Sequence, residues 1–359
     1  MIKRLFLIFL TGLALLSCSQ DHIFYKISQE VEPNDPRITG GPTTIIQLGG
    51  ALYSASRMGR TVHVYDKGAD DSWRWNRLPP PGGKIIELAG DGKSLFALTG
   101  EPMETARISK YDGQAWTEIA SGYFETIAGA GNGTEGRIFA ATKTTVSVYP
   151  GADGGFTEIA TPEAMLMGAA YLNNVFYLAV AKKGVFIYDG GAFSAVAVGG
   201  SEGKNTVGIL TVENEVVAVT REGGILRGDL NGFDVAGSIG SHLSGGMGLW
   251  KEDGVDGVNT LLLIGLQDNP RYTTKVLGYR EIVLENGALP SGDTLEILEP
   301  GEHSPSTVSN YDKYEITLRI HIVTDIAQAG DDTLFAATTK NGLWSYRHRN
   351  GVDVWNAEE

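Results

Sequence analysis

Apolar and polar positions in this chain fall into one phrase that recurs. Its clearest form is Thr333-Leu334-Phe335-Ala336-Ala337-Thr338-Thr339-Lys340-Asn341-Gly342-Leu343-Trp344-Ser345-Tyr346, an apolar run, a tight turn and a second run ending on tyrosine. Leu95-Phe96-Ala97-Leu98-Thr99 and Ile138-Phe139-Ala140-Ala141-Thr142 repeat its first half closely. Looser copies begin at Leu52, Val175, Val216 and Leu261, which makes seven. Runs this short, punctuated by Gly, Asp and Asn, predict antiparallel strands joined by hairpins. No stretch beyond the first residues carries a helical period.

Each copy sits within a larger unit. An apolar strand precedes it, as in Ile45-Ile46-Gln47-Leu48, Ile85-Ile86-Glu87-Leu88 or Val323-Thr324-Asp325-Ile326. The third strand mostly ends on a tyrosine: Tyr65, Tyr111, Tyr149, Tyr188, Tyr279 and Tyr346. In six of the seven units a fourth strand starts near an aromatic: Trp75, Trp116, Phe156, Phe193, Phe233 or Trp355. Read from Tyr53 through Phe96, Phe139, Phe176, Val217 and Leu262 to Phe335, the second strands step by 43, 43, 37, 41, 45 and 73 residues. Four-stranded units of about 40–45 residues are the mark of a propeller blade, which must stack on its neighbours around an axis to bury both faces. The expected fold is therefore all-β, a seven-bladed β-propeller of four-stranded antiparallel blades over residues 44–359. A six- or eight-bladed ring with one misread repeat is the alternative. The repeated aromatics, at one per blade, read as packing between blades.

The long last step places an insertion at about 284–318, containing His303, Tyr311 and Tyr314. A long insertion in a regular ring is a candidate for function as well as a candidate surface loop. Glycine, at 48 of 359 residues, is about twice its usual share, in keeping with so many turns.

The N-terminus reads as an address. Lys3-Arg4 is followed by an apolar run from Leu5 to Leu16, too short to span a bilayer, and then by Ser17-Cys18. Leu15-Leu16-Ser17-Cys18 resembles the lipobox of bacterial lipoproteins, which implies that residues 1–17 are a signal peptide and that Cys18 is the lipidated first residue. Cys18 is the chain's single cysteine, so it has no disulfide partner within the chain. Residues 18–43 would then hold the lipidated cysteine and a tether, with Ile23–Ile27 apolar enough for a strand that packs on the rim or closes the ring. The formal charge is −14, and loss of Lys3 and Arg4 would leave −16. A body this acidic repels nucleic acid and anionic bilayers over most of its surface.

Further residues carry a family resemblance. The segment from Ile23 to Arg37, the arm Ser309-Asn310-Tyr311-Asp312-Lys313-Tyr314 and the ending from Asn341 to Glu359 are similar to a set of spirochaetal, particularly treponemal, propeller lipoproteins. The resemblance covers nearly the whole mature chain and implies fold and location, without chemistry. It points to a bacterial envelope, periplasmic or surface-exposed. Ser19 stands where an Asp would hold an enteric lipoprotein at the inner membrane, which favours the outer membrane.

Chemical motifs reduce to architecture. Gly131-Asn132-Gly133-Thr134-Glu135-Gly136 matches a dinucleotide fingerprint in letters but is followed by a strand, not a helix, so it reads as a hairpin turn. The six histidines show no metal spacing, and His63 reads as a sheet residue. Asp-Gly clusters at 68–72, 151–155 and 253–257 read as turns and lack the calcium-loop pattern. No G-x-S-x-G elbow occurs, and no cofactor or metal is expected.

One pattern points outward. The turn after the second strand is basic in six of seven units, with Arg57, Arg60, Lys143, Lys182, Lys183, Arg221, Arg271 and Lys340; the remaining unit has Glu101 and Glu104. In a ring these turns share one face, around the channel mouth. They read either as a rim that gathers anions or as ordinary soluble tips, with Glu222 and Asp268 close enough to neutralise them. The expectation is a monomeric, non-catalytic protein-interaction or scaffolding module. Binding of an anionic glycan or other small anion, and hydrolase or lyase activity with the insertion as a lid, are the alternatives.

Overall fold

The apolar runs pair as the hairpin spacing demands. A computed structural model describes Ile38 and residues 42–358 apart from 57–58, 102–103, 151–153, 161–164, 199–204, 255–256, 268–277, 292–294, 299–321, 340–341 and 350–351. Every sheet is an antiparallel meander of consecutive strands. Blade 1 consists of Pro42–Leu48, Ala51–Ser56, Val62–Lys67 and Trp73–Arg77. Blades 2 to 5 open with Ile85–Gly90, Thr126–Gly131, Leu166–Leu172 and Thr206–Val212, and each adds three strands. Blade 7 runs from Val323–Gln328 to Val352–Ala357.

Blade 6 departs from the pattern. It has Leu243–Gly254, Gly257–Leu266 and Tyr279–Val283 and, among the described residues, no fourth strand. Leu298 takes part of that place, exchanging backbone hydrogen bonds of 3.0 and 2.9 Å with Glu281. This is the one unit whose sequence offered no aromatic to start an outer strand.

The second strands explain why their phrase is the loudest in the sequence. Leu95–Thr99, Val175–Val180 and Leu334–Thr338 are buried at every position, because each lies between two strands of its blade and between two blades. Both faces therefore demand apolar residues, and the alternation of a half-exposed strand disappears. Seven separate core clusters fill the seven gaps between neighbouring blades. That count removes the six- and eight-bladed alternatives: the protein is a seven-bladed β-propeller.

Register corrects one position in the repeat, and the face a side chain packs on corrects another. Tyr53, Phe96, Val217 and Phe335 lie opposite Ile46, Ala89, Leu210 and Ala327, three pairs in from a bulge. In blade 4 that place belongs to Tyr177, opposite Ala170, and not to Phe176. In blade 6, Leu263 packs toward blade 7 while Leu262 faces blade 5. A slip of one residue exchanges the two faces of a strand, and Val175–Val180 is apolar on both, so periodicity alone gave no warning.

The ring closes between blades 7 and 1. Phe335 lies edge-on to Tyr65 and Trp75, with centroids 4.8 and 5.4 Å away, and Ile38, Leu52 and Leu343 complete the cluster. Polar bonds flank this core. Tyr65 Oη donates to Asp331 Oδ2 at 2.8 Å, the Gly330 N–H to the Gly50 carbonyl at 3.2 Å, and Gln47 Nε2 to the Gln328 carbonyl at 3.1 Å. Residues 1–37, with the candidate signal peptide, Cys18 and the candidate strand Ile23–Ile27, lie outside the described residues.

The first half of the insertion is structural. Glu285 and Ala288 form a small hairpin, and Leu289 and Leu295 are buried in the core between blades 5 and 6. Arg227 donates to the carbonyls of Leu289 and Pro290 at 3.3 and 2.6 Å, and the Leu289 N–H donates to Glu215. The segment thus packs along the blade 5–6 interface. His303, Tyr311 and Tyr314 lie outside the described residues.

Candidate functional site

The innermost strands of all seven blades enclose a central cavity of about 360 Å³. Its wall is mostly aliphatic side chains and glycine, as in Ile45, Leu88, Gly168, Ile209 and Ile326, with two carboxylates, Glu87 and Asp325. These two occupy equivalent places, each the first paired residue after a bulge, opposite Leu98 and Ala337. Each reaches the next blade round the ring. Glu87 Oε2 accepts from the Ile127 N–H at 2.9 Å, and Asp325 Oδ2 from the Ile45 N–H at 2.7 Å. Asp325 Oδ1 also accepts from the Ile326 N–H at 3.0 Å. Burial pushes the Asp325 carboxyl up to about 7, against the opposing pull of these two N–H groups. Both channel carboxylates therefore act as brackets between blades.

The fingerprint-like turn has a related explanation. A Cβ built on Gly131 or on Gly136 would stand 2.0 Å from the Asp91 carbonyl oxygen. These glycines let the turns of blades 2 and 3 touch backbone to backbone. Asp91 Oδ1 in turn accepts from the N–H groups of Lys93 and Ser94 at 2.9 and 2.6 Å. His63 lies in the third strand of blade 1, as the sequence suggested, but is buried where the sequence pointed to a half-buried sheet position. Tyr65, Tyr149, Tyr188 and Tyr279 are likewise buried between blades.

Among the predicted basic residues, Arg60, Lys143, Lys182, Lys183 and Arg221 are described, all in turns between second and third strands. In an antiparallel meander those turns lie at the same end of the blades as the connections to the next blade. Backbone bonds tie the two together: Glu125 N–H to Ala141 O at 2.8 Å, Ala181 N–H to Met165 O at 2.9 Å, and Arg221 N–H to Asn205 O at 3.0 Å. Arg57, Arg271 and Lys340 lie outside the described residues.

The cations differ in how far they are engaged. Arg221 is half-buried and donates to Gln267 Oε1 at 2.9 Å, while its neighbour Glu222 accepts from Asn205. In blade 2, the unit without a basic turn, Lys84 from the preceding connection pairs with Glu101 at 2.8 Å. Lys143 stands 3.8 Å from Glu125, an exposed pair worth little. Arg60, Lys182 and Lys183 are exposed and join no ion pair among the described residues.

Two exposed apolar side chains on this face were not singled out from the sequence. Tyr123 is 73% exposed in the connection from blade 2 to blade 3, and Met165 is 48% exposed in the next connection. The available signal was the aromatic pair Tyr123-Phe124 in one connection and a methionine after Thr161-Pro162-Glu163-Ala164 in the other.

Neither a protein-family model nor a curated protein matches the sequence. Solved structures do match in shape. The WD40 propeller domain of Doa1 superposes with a TM-score of 0.56 at 12% identity, covering 87% of this chain and 94% of that one. PorZ, an essential surface component of the type-IX secretion system of Porphyromonas gingivalis, gives 0.52 at 12% identity over 90% of this chain and 39% of its own length. Raptor of Chaetomium thermophilum gives 0.53 at 14% identity over 89% and 30%. At these identities the likeness shows the fold, and propellers host unrelated functions.

Proposed function

We propose that this protein is a non-catalytic interaction platform held in a bacterial envelope by acyl chains on Cys18, and that partners meet the face carrying the blade connections. The observation that carries this reading is the distribution of charge. A chain of net charge −14 places Arg60, Lys143, Lys182, Lys183 and Arg221 on one face, while its two channel carboxylates hold neighbouring blades together. Propellers commonly present such rims to other proteins, and Doa1, Raptor and the surface component PorZ share the architecture. Anchoring rests on the lipobox alone: several acyl chains, each buried methylene contributing about 0.8 kcal/mol, would give a stable anchor.

Binding of an anionic glycan to the same cations is the second reading. A hydrolase or lyase with the insertion as a lid has less support, because residues 284–291 and 295–298 pack against the core of blades 5 and 6.

Two measurements test the proposal. Cys18→Ser should move the protein from the detergent phase to the aqueous phase in Triton X-114 partition. Arg60→Glu combined with Lys183→Glu, both exposed, should remove the adducts formed by in-cell cross-linking while leaving the melting temperature unchanged. Loss of heparin binding with adducts retained would favour the glycan reading.

A further inference from the structure

Within the basic face, one sector gathers features that its other described residues lack. Tyr123 and Lys143 flank the contact of blade 3 with its entry loop, where Glu125 bonds to Ala141 and lies 3.8 Å from Lys143. Met165, Lys182 and Lys183 form the matching edge of blade 4, where the Met165 carbonyl takes the Ala181 N–H. Of the four large apolar side chains most exposed among the described residues, these two alone lie on this face. Leu230 is in a turn at the opposite end of its blade, and Val235 lies along an outer strand.

The sector is held stiff. Phe124, next to Tyr123, packs tilted against Phe156 with centroids 5.8 Å apart, and Phe156 against Tyr149 at 5.5 Å, so the connection that presents Tyr123 is fastened to the core between blades 2 and 3. Lys182 has φ of 63°, a left-handed conformation that glycine would adopt at less cost, in a turn closed by the Lys183 N–H on the Val180 carbonyl at 3.0 Å. A rigid aromatic and an adaptable methionine are the side chains that interface hot spots favour, and fixing them in advance lowers the ordering cost of binding.

We infer that the sector formed by Tyr123, Lys143, Met165, Lys182 and Lys183 is a docking surface for an acidic peptide segment of a partner protein, the lysines taking its carboxylates and Tyr123 and Met165 taking an apolar side chain between them. This rests on the interaction reading above and narrows it to blades 3 and 4. Charge complementarity selects the occupant: three exposed lysines on an acidic protein favour an acidic segment. A lipid surface fits less well, since two apolar side chains give little insertion and the net charge of −14 opposes an anionic bilayer.

The test uses a phage-displayed library of random twelve-residue peptides selected on the purified protein. Enriched peptides should combine Asp or Glu with one large apolar residue. They should bind at least tenfold more weakly to a Lys143→Glu, Lys182→Glu, Lys183→Glu variant and to a Tyr123→Ser, Met165→Ser variant. All five side chains are exposed, so both variants should keep the parent melting temperature. Failure to enrich acidic peptides, or equal binding to both variants, overturns the inference. Peptides that lose affinity only with Arg60→Glu or Arg221→Glu would remove this sector while leaving the interaction reading in place. Sedimentation of the protein with phosphatidylglycerol vesicles, lost in the same two variants, would replace the peptide by a membrane and overturn the inference.

Discussion

Asp325 shows how a single side chain can set both closure and pH response. Its carboxyl titrates near 7 in the fold and near 3.8 when unfolded, because burial disfavours the charge more than the Ile45 and Ile326 N–H groups favour it. Below about 4 both states are protonated; from there to about 7 the folded state holds the extra proton, so stability falls as pH rises and then levels off. At 1.36 kcal/mol per pH unit the loss is at most about 4 kcal/mol. Asp325→Asn keeps an acceptor for Ile45 and removes the titration. Its melting temperature should change less between pH 4 and 7 than that of the parent, and parallel curves would refute the assignment. Gly136→Ala should lower stability by about 2 kcal/mol or more, since its Cβ would meet the Asp91 carbonyl. Lys182→Gly should raise or preserve the melting temperature and weaken acidic-peptide binding, separating strain from use. None of these roles was legible beforehand. Asp325 reads as one of three polar residues in Val323–Gln328, and the glycines of 131–136 read only as a turn, because the partner of each comes from another blade.

At the scale of elements the sequence was far more informative, and the reason is burial. Second strands such as Leu334–Thr338 are enclosed on all sides, so their composition is constrained at every position and repeats visibly. Outer strands such as Phe193–Ala195 are largely exposed and left only their leading aromatic as a signal. The same enclosure hid the face of Phe176 and Leu262, since a strand apolar on both sides has no alternation to read. Blade 6 has no fourth strand among the described residues; there Leu298 bridges Glu281, and Leu289 and Leu295 are buried in the core shared with blade 5. Arg227→Ala should therefore loosen the strap by leaving the Leu289 and Pro290 carbonyls without their donor. Faster amide exchange at 285–298 than in the parent would show this, and unchanged exchange would argue that apolar packing alone holds it.

For the whole molecule, the ring is only as stable as its closure. Among the described residues no strand of one end completes the blade of the other, so blades 7 and 1 are joined by side chains and a few long-range hydrogen bonds. Phe335→Ala removes a fully buried ring from between Tyr65 and Trp75 and should cost about 3–5 kcal/mol. The shared face of the basic turns follows from the same geometry, because a meander of this kind sends every turn after a second strand to one end. That placement was legible from spacing, whereas the concentration on blades 3 and 4 was not. It depends on Lys84 and Arg221 being engaged elsewhere and on Tyr123 standing exposed beside Phe124, which packs on Phe156.

The most direct test of the account is site-specific photo-cross-linking in intact cells. A photoreactive residue would replace Lys183 on the connection face or Leu230 at the opposite end of its blade. The account predicts discrete protein adducts from position 183 and none from position 230. Adducts from 230 alone, or equal patterns from both, would contradict it.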